Sequence, residues 1–318
     1  MALLLREEDV KQLVDMDAVI ASVELAMREL GEGVAQNEPR RRAFAPGGLL
    51  NVMFASFPGG GCTGLKVYTV AGGKVRFLVV MFGLDGAPLA LIEADLMGAY
   101  RTGAASGVAA KWLTPPGPKT LAVIGSGWQA STQALALSRV LQLREIRVFS
   151  RNAERRTAFA AGLAEDLRVT TNAVRSAEEA VRGADVVVTI TPSAEPVIDA
   201  ASVEPHALVI AAGSNFASRA EIPADLVARA HTVVVDQLAA ARLESGDLLQ
   251  AEAAGLFDWA GAVELGAVVA GKWNASDRDR GITLFESHGL ALWDLAAGAT
   301  VLATARERGL GIEVPLFS

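Results

Sequence analysis

Hydrophobic positions follow two different rules along this chain. Across residues 49–96 they come in short runs, "GLKVYTV", "VRFLVVMFGL" and "PLALIEA", broken by Gly, Asp and Pro, with the turn signal "LDGAP" between the last two. This spacing predicts antiparallel strands. After residue 119 the runs "TLAVIG", "EIRVFS", "DVVVTIT", "HALVIAAGS" and "HTVVVD" are apolar and β-branched, and helix-like segments separate them. Strands apolar on both faces and spaced by helices predict a parallel sheet covered on both sides. Between the two textures, "TPPGPK" at 114–119 is a composition break and a candidate domain junction.

Helical periodicity fills the remainder. The acid-rich "REEDVKQLVDMDAVIASVELAMREL" reads as a capped amphipathic helix, with Asp15 and Asp17 as candidate caps and Val19, Val23, Ala26, Met27 and Leu30 on one face. "DLMGAYRTGAASGVAAKWL" reads as one or two helices rich in small residues. Residues 241–280 read mainly as helix, and 284–309 hold another long helical pattern. If that last segment returns to the first domain, the chain crosses the junction twice. The expected division is 1–116, 117–282 and 283–318.

Composition narrows the field. With 318 residues, 51% of them apolar, the chain can bury a large core, and a net charge of -7 argues against non-specific nucleic-acid binding. No apolar run reaches the ~20 residues of a membrane span. "MALLLREEDV" meets charge too early for a secretory signal. The single cysteine, Cys62, cannot make an internal disulfide, which points to a reducing compartment and a cytoplasmic protein. Three histidines without ligand spacing give no case for a metal.

The candidate chemistry begins at "IGSGWQA". Gly125, Gly127 and Ala130 form G-x-G-x-x-A between a predicted strand and a predicted helix that Trp128 and Gln129 open. The first glycine permits the tight turn, the second keeps Cβ atoms off a pyrophosphate, and the small third residue lets the helix sit close to the sheet. A dinucleotide site is expected here, with the helix N-terminus facing the phosphates. The next strand ends on Ser150, Arg151 and Asn152, where an NAD site usually has an acid for the ribose 2′-OH. With no carboxylate to repel a 2′-phosphate, and with Arg151 and Arg156 (or Arg155) able to attract one, the triplet predicts NADPH, with NADH at lower preference.

Taken together, "GLKVYT", "RTGAASGVAAKWL", "IGSGWQA", "TPSAEPVI", "AAGSN" followed by "AEI", "VVVD", "ELGAVVAG" and "TLFESHGLALWDLA" give the chain a clear resemblance to the ornithine cyclodeaminase/mu-crystallin family over nearly its whole length. The resemblance implies an α/β protein with a Rossmann dinucleotide-binding domain inserted in an α+β substrate-binding and dimerisation domain, and it implies a homodimer. It implies that Lys66 and Arg101 meet a substrate carboxylate. A further arginine is expected within "EPRRR", taken as Arg41, with Arg40 fitting nearly as well. Thr102 and Ser287 match positions lining the cofactor and substrate cleft, and Thr191 and Pro192 match the loop after the fourth strand of the dinucleotide domain. Two cations, one a planar arginine fork, can fix an imino acid's carboxylate while the cofactor supplies a hydride.

One departure from the family pattern decides between its activities. Its cyclodeaminases carry an aspartate in the glycine-rich turn after the fifth strand, and "AAGSNFASRAEI" aligns Asn215 there, anchored by Glu221. An amide cannot act as a carboxylate base. The resemblance therefore points to reduction of a small cyclic ketimine, Δ1-pyrroline-2-carboxylate to L-proline or Δ1-piperideine-2-carboxylate to L-pipecolate. The alternatives are an alanine dehydrogenase-like enzyme, a cyclodeaminase and a non-catalytic small-ligand binder. Lys66 and His288 are the candidate proton donors, His288 also fitting a positioning or packing role. No nucleic-acid or membrane partner is expected, only a small imino or amino acid.

Overall fold

The computed structural model describes residues 1–274 and 280–316. The chain divides into two compact units, one built from Met1–Ala105 with Leu290–Ser318 and the other from Ser106–Gly289. Sequence reasoning places the divisions at 116/117 and 282/283; the compact units change over at 105/106 and 289/290. The fold class is as expected, a Rossmann unit inserted in a unit assembled from both chain ends.

The first unit is a mixed sheet covered by helices. Its strands run in the order Ile312–Val314, Ala2–Leu5, Pro88–Glu93, Lys74–Gly83, Cys62–Ala71, Gly48–Phe57 and Gln36–Asn37, with Arg41–Ala45 also paired to Gly48–Phe57. The meander from Gly48 to Glu93 is antiparallel, as the turn signals require, while Ala2–Leu5 lies parallel to Pro88–Glu93. The acid-rich N-terminal pattern makes two helices, Glu7–Leu13 and Met16–Glu32, rather than one, because Asp15 breaks the run and its side chain caps the second helix by accepting from Ala18 N–H. The helix Ala291–Arg308 packs on Met16–Glu32 and on the sheet. Its Trp293 is fully buried and donates Nε1–H to Met27 Sδ at 3.0 Å. The small-residue segment forms one helix, Asp95–Leu113.

The second unit is an eight-stranded, all-parallel sheet in the order Thr171–Ala173, Leu143–Phe149, Lys119–Ile124, Val186–Thr189, Leu208–Ala211, Ile282–Glu286, Ala230–Val235 and Ala262–Glu264. Val186–Thr189 and Leu208–Ala211 are buried at every position, as their unbroken apolar runs demand. Two expectations change here. Of residues 241–280, read mainly as helix, 275–279 lie outside the described residues; the rest yields short helices, including Gly246–Ala253 and Leu265–Val269, around the short strand Ala262–Glu264. The segment read as helix from 284 begins instead as the strand Ile282–Glu286, whose β-branched and aromatic residues fill the gap between Leu208–Ala211 and Ala230–Val235. Among the described residues no helix is long and apolar enough to cross a membrane.

Candidate functional site

In the first unit, strand alternation sends Cys62, Gly64 and Lys66 to the buried face of Cys62–Ala71. A lysine with 2% exposure needs an anion, and Asp294, in the first turn of Ala291–Arg308, supplies it: Lys66 Nζ donates to Asp294 Oδ1 at 2.8 Å. The same oxygen accepts Arg101 Nε–H at 3.2 Å from the helix Asp95–Leu113, and Asp294 Oδ2 has no hydrogen-bond partner. Lys66 Nζ also lies 4.8 Å from the Phe77 ring centre and 6.0 Å from that of Tyr68, and the Arg101 guanidinium lies 5.8 Å from that of Trp293. One helical turn before Arg101, a Cβ at Gly98 would sit 3.4 Å from Lys66 Nζ. Burial pulls the Lys66 ammonium down to about 8; Asp294 pushes it up, and Arg101 and Arg40 add to the fall.

That list of neighbours separates two adjacent arginines. Arg40 is buried, with its guanidinium 6.0 Å from the Tyr68 ring centre, whereas Arg41 begins the strand Arg41–Ala45 with its side chain exposed. The structure therefore brings Lys66, Arg101 and Arg40 together and leaves Arg41 outside. Thr102 is buried in the same helix as Arg101, donating Oγ1–H to the Gly98 carbonyl.

In the second unit, the glycine turn has the predicted form. Gly125 has φ +130, and a Cβ there would meet the Ile190 carbonyl oxygen at 2.4 Å. A Cβ on Gly127 would meet nothing within 4 Å, so its backbone opens on free space. Gly127 begins the helix Trp128–Val140 with no side-chain cap, and the fully buried Ala130 lets that helix lie against the sheet. A cavity of about 570 Å³ is lined by this turn, by Ser150, Arg151 and Asn152, and by Thr191 and Pro192. Trp128 is exposed, and neither it nor Gln129 lines that cavity. Uncapped helix N–H groups facing a cavity of this size fit the pyrophosphate of a dinucleotide.

The closing triplet has other work. The Asn152 side chain caps the helix Ala153–Leu167 by accepting from Arg155 N–H. Ser150 Oγ accepts from Ser126 Oγ at 2.8 Å. Arg156 turns inward, donating to the Ser150 carbonyl with its guanidinium 5.4 Å from the Phe149 ring centre, while Arg155 lines the cavity in its place.

Beyond the strand ends, the second unit buries a chain of ionisable groups. His288 is 5% exposed; its Nδ1 is 3.5 Å from Asp236 Oδ1 and its Nε2 is 3.4 Å from Glu286 Oε2. Asp236 Oδ2 also accepts the backbone N–H groups of His288 and Gly289, and Glu286 accepts from Ser245 Oγ. Burial alone lowers the imidazole, but the two carboxylates outweigh it and raise His288 to about 10. Burial likewise pushes Asp236 up, yet its bonds to His288 hold it below the usual carboxylate range, while Glu286 is raised, burial outweighing His288. With both nitrogens facing carboxylates, His288 is placed to carry a positive charge. Ser287 is buried, its N–H donating to the Ala211 carbonyl and its Oγ without a hydrogen-bond partner. Asn215 is half-buried in the turn that starts at Gly213.

Sequence reasoning assigned no role to Asp294, Asp236 or Glu286. Each left a signal: one acid inside "ALWDLAAGATVL", and one acid closing each of the apolar strands "HTVVVD" and "ITLFE". A charge that ends or interrupts a fully buried run must have a partner.

A Rossmann turn with an open cavity, and a buried cation cluster held by one acid, define an NAD(P)H-dependent oxidoreductase acting on C=N or CH–NH groups. The chain belongs to the ornithine cyclodeaminase/mu-crystallin family, whose profile matches residues 1–309. It is 33% identical to the Δ1-pyrroline-2-carboxylate reductase of Bacillus cereus over 97% of this chain and 98% of that one. The structure of the Δ1-pyrroline-2-carboxylate reductase of Thermococcus litoralis with NADH and L-proline is similar at a TM-score of 0.91 and 30% identity, covering 98% of this chain and 100% of that one. An archaeal alanine dehydrogenase dimer with bound NAD gives a TM-score of 0.92 at 32% identity, covering 99% of both chains. The two solved structures correct the cofactor expected from Ser150-Arg151-Asn152: one holds NADH and the other NAD, not NADPH. The physical reason is that a missing acid does not imply a phosphate. A serine hydroxyl both donates to and accepts from a ribose hydroxyl, and Asn152 and Arg156 are committed to the protein's own backbone.

The charge assigned to His288 can be tested by stability. Its raised value means that its contribution is fully present below about pH 6.5 and lost as pH rises through about 10. His288→Gln should destabilise the chain by about 3 kcal/mol near neutrality, because Asp236 and Glu286 lose their cation. Urea unfolding of both proteins should show that gap closing between about pH 6.5 and 10; equal stability at neutral pH would mean a neutral imidazole.

Proposed function

We propose that the protein is an NADH-dependent reductase of a small cyclic 2-imino acid, with Δ1-pyrroline-2-carboxylate, giving L-proline, as the leading substrate and Δ1-piperideine-2-carboxylate, giving L-pipecolate, as the second. The observation that carries this reading is the buried pair Lys66 and Arg101 on one oxygen of Asp294, with Arg40 close to Lys66. Two cations sharing one carboxylate suit an anionic ligand. Arg101 turns its Nε–H to Asp294, so the terminal guanidinium nitrogens can fork onto a substrate carboxylate. Lys66 Nζ, fixed by Asp294, gives the second contact.

The second unit holds the dinucleotide through the Gly125–Gly127 turn, Ser150 and the Thr191–Pro192 loop. When bound, the cofactor supplies the hydride that C2 accepts. A cyclic iminium arrives with its proton; for a neutral imine Lys66, titrating at about 8, can donate one near neutral pH and recover it from water. An amide at Asn215, where a carboxylate base would be needed, agrees with reduction of a preformed imine rather than deamination of a diamine. We also read the protein as a homodimer of two copies of this chain, in keeping with the alanine dehydrogenase dimer it resembles; the strand Gly48–Phe57 leaves Leu50 and Phe54 exposed on one face.

NADH oxidation should be fastest with the preformed five- or six-membered ketimine. Faster turnover with pyruvate plus ammonia would favour an alanine dehydrogenase instead. Lys66→Met should lower kcat with the ketimine by about 100-fold or more while leaving NADH affinity intact; full activity would remove Lys66 from the reaction. Asp294→Asn removes the charge that holds the Lys66 value up. The alkaline limb of kcat/KM should then move to lower pH, and an unmoved limb would show that Lys66 does not set it.

A further inference from the structure

Glu221 has no part in the mechanism above, yet it is among the most fully committed polar side chains of the second unit. It is 1% exposed. Its Oε1 accepts both the backbone N–H and the Oγ1–H of Thr191, each at 2.7 Å, and its Oε2 accepts the backbone N–H of Gly213 at 2.6 Å. Its main chain is gripped from the other side. The N–H groups of Glu221 and Ile222 both donate to Asp247 Oδ1, at 2.7 and 2.8 Å, and its carbonyl accepts Val197 N–H. One carboxylate thus ties the loop after Val186–Thr189 to the loop after Leu208–Ala211, and Asp247 fixes that carboxylate in place.

The strand order shows what those loops do. The glycine turn follows Lys119–Ile124; Ser150 follows its neighbour on one side, and Thr191 follows its neighbour on the other. A dinucleotide with its pyrophosphate at the turn and one ribose at Ser150 must carry its other half toward Thr191 and then Gly213. The fit there leaves no slack. A Cβ on Gly213 would lie 2.4 Å from Thr191 N and O and 2.5 Å from Glu221 Oε2.

We propose that Glu221 is a positioning residue that sets the Thr191 and Gly213 loops to receive the nicotinamide half of NAD(H), and through the Gly213 turn fixes the approach of Asn215. The proposal rests on NAD(H) being the cofactor. An ionised or neutral acid can accept these bonds, but a glutamine cannot: one of its two ends presents N–H groups to a backbone N–H, whichever way it is turned. Thr191 and Val197 line the cofactor cavity, so an error of a few tenths of an ångström in their loop is felt by the cofactor.

The test is NADH binding to the full chain, followed by NADH fluorescence, in wild type, Glu221→Gln, Thr191→Val, Thr191→Ser and the Glu221→Gln/Thr191→Val double variant, with far-UV circular dichroism to confirm folding. Glu221→Gln should raise the NADH Kd by about fivefold or more, with a larger change in the KM for NADH than in the KM for the ketimine. Thr191→Val should weaken NADH in the wild-type background and add little to Glu221→Gln, while Thr191→Ser keeps wild-type affinity. A folded Glu221→Gln chain that binds NADH as wild type does, or fully additive effects in the double variant, would overturn the proposal. Should Glu221→Gln not fold, the threonine pair decides, and wild-type affinity in Thr191→Val overturns it. A wild-type chain that binds no NADH would instead remove the cofactor reading beneath it.

Discussion

Asp294 Oδ1 receives both Lys66 Nζ and Arg101 Nε–H in a place almost closed to water, and the first unit is organised around that shared oxygen. Removing an ion from water costs several kcal/mol even after relaxation, so neither cation would be stable there alone. The three groups come from the strand Cys62–Ala71, the helix Asp95–Leu113 and the helix Ala291–Arg308. The last of these lies almost two hundred residues along the chain from Arg101. The return of the C-terminal segment to its unit is thus a chemical requirement as well as a packing one: without it the cations have no counter-charge. Because the acid neutralises only part of the cluster, the arrangement keeps a positive excess suited to one carboxylate.

The second unit meets the opposite problem with the opposite sign. Acids collect beyond the carboxyl ends of its parallel strands, and one imidazole, His288, lies between Asp236 and Glu286. Further along, burial pushes Asp247 and Glu221 each up to about 7, Glu286 adding to the first and Asp247 to the second, while backbone N–H groups hold both in place. Glu221 and Asp247 thereby hold the loops that follow Val186–Thr189 and Leu208–Ala211. In both units a buried charge of one sign fixes the geometry of its neighbours.

How much of this could be read from the sequence depended on whether the signal was local. The glycine turn at 125–130 was legible because its function lies in backbone space that only small residues leave open. The two parallel and antiparallel textures were legible because strand burial writes itself into consecutive residues. Asp15 was found as a cap, but the helix break it causes was missed. The strand Ile282–Glu286 was hidden by the helix that follows it. Lys66 and Arg101 were reached through family motifs, but the choice between Arg40 and Arg41 was not, since adjacent residues differ only in which way the chain turns them. Asp294 escaped because its partners are distant in sequence. The ending "SRN" misled because a missing acid was read as a site for phosphate, when its asparagine is a helix cap and its serine a hydroxyl that serves a ribose equally well.

The central claim is that the Lys66–Arg101–Asp294 cluster exists to hold a carboxylate. The direct measurement is calorimetric binding of L-proline and of L-prolinamide to the chain loaded with NADH, in wild type and in Arg101→Met. Binding of L-proline alone to wild type, abolished or strongly weakened in Arg101→Met, is the predicted result. Equal binding of the acid and the amide, or L-proline affinity unchanged in Arg101→Met, would contradict it.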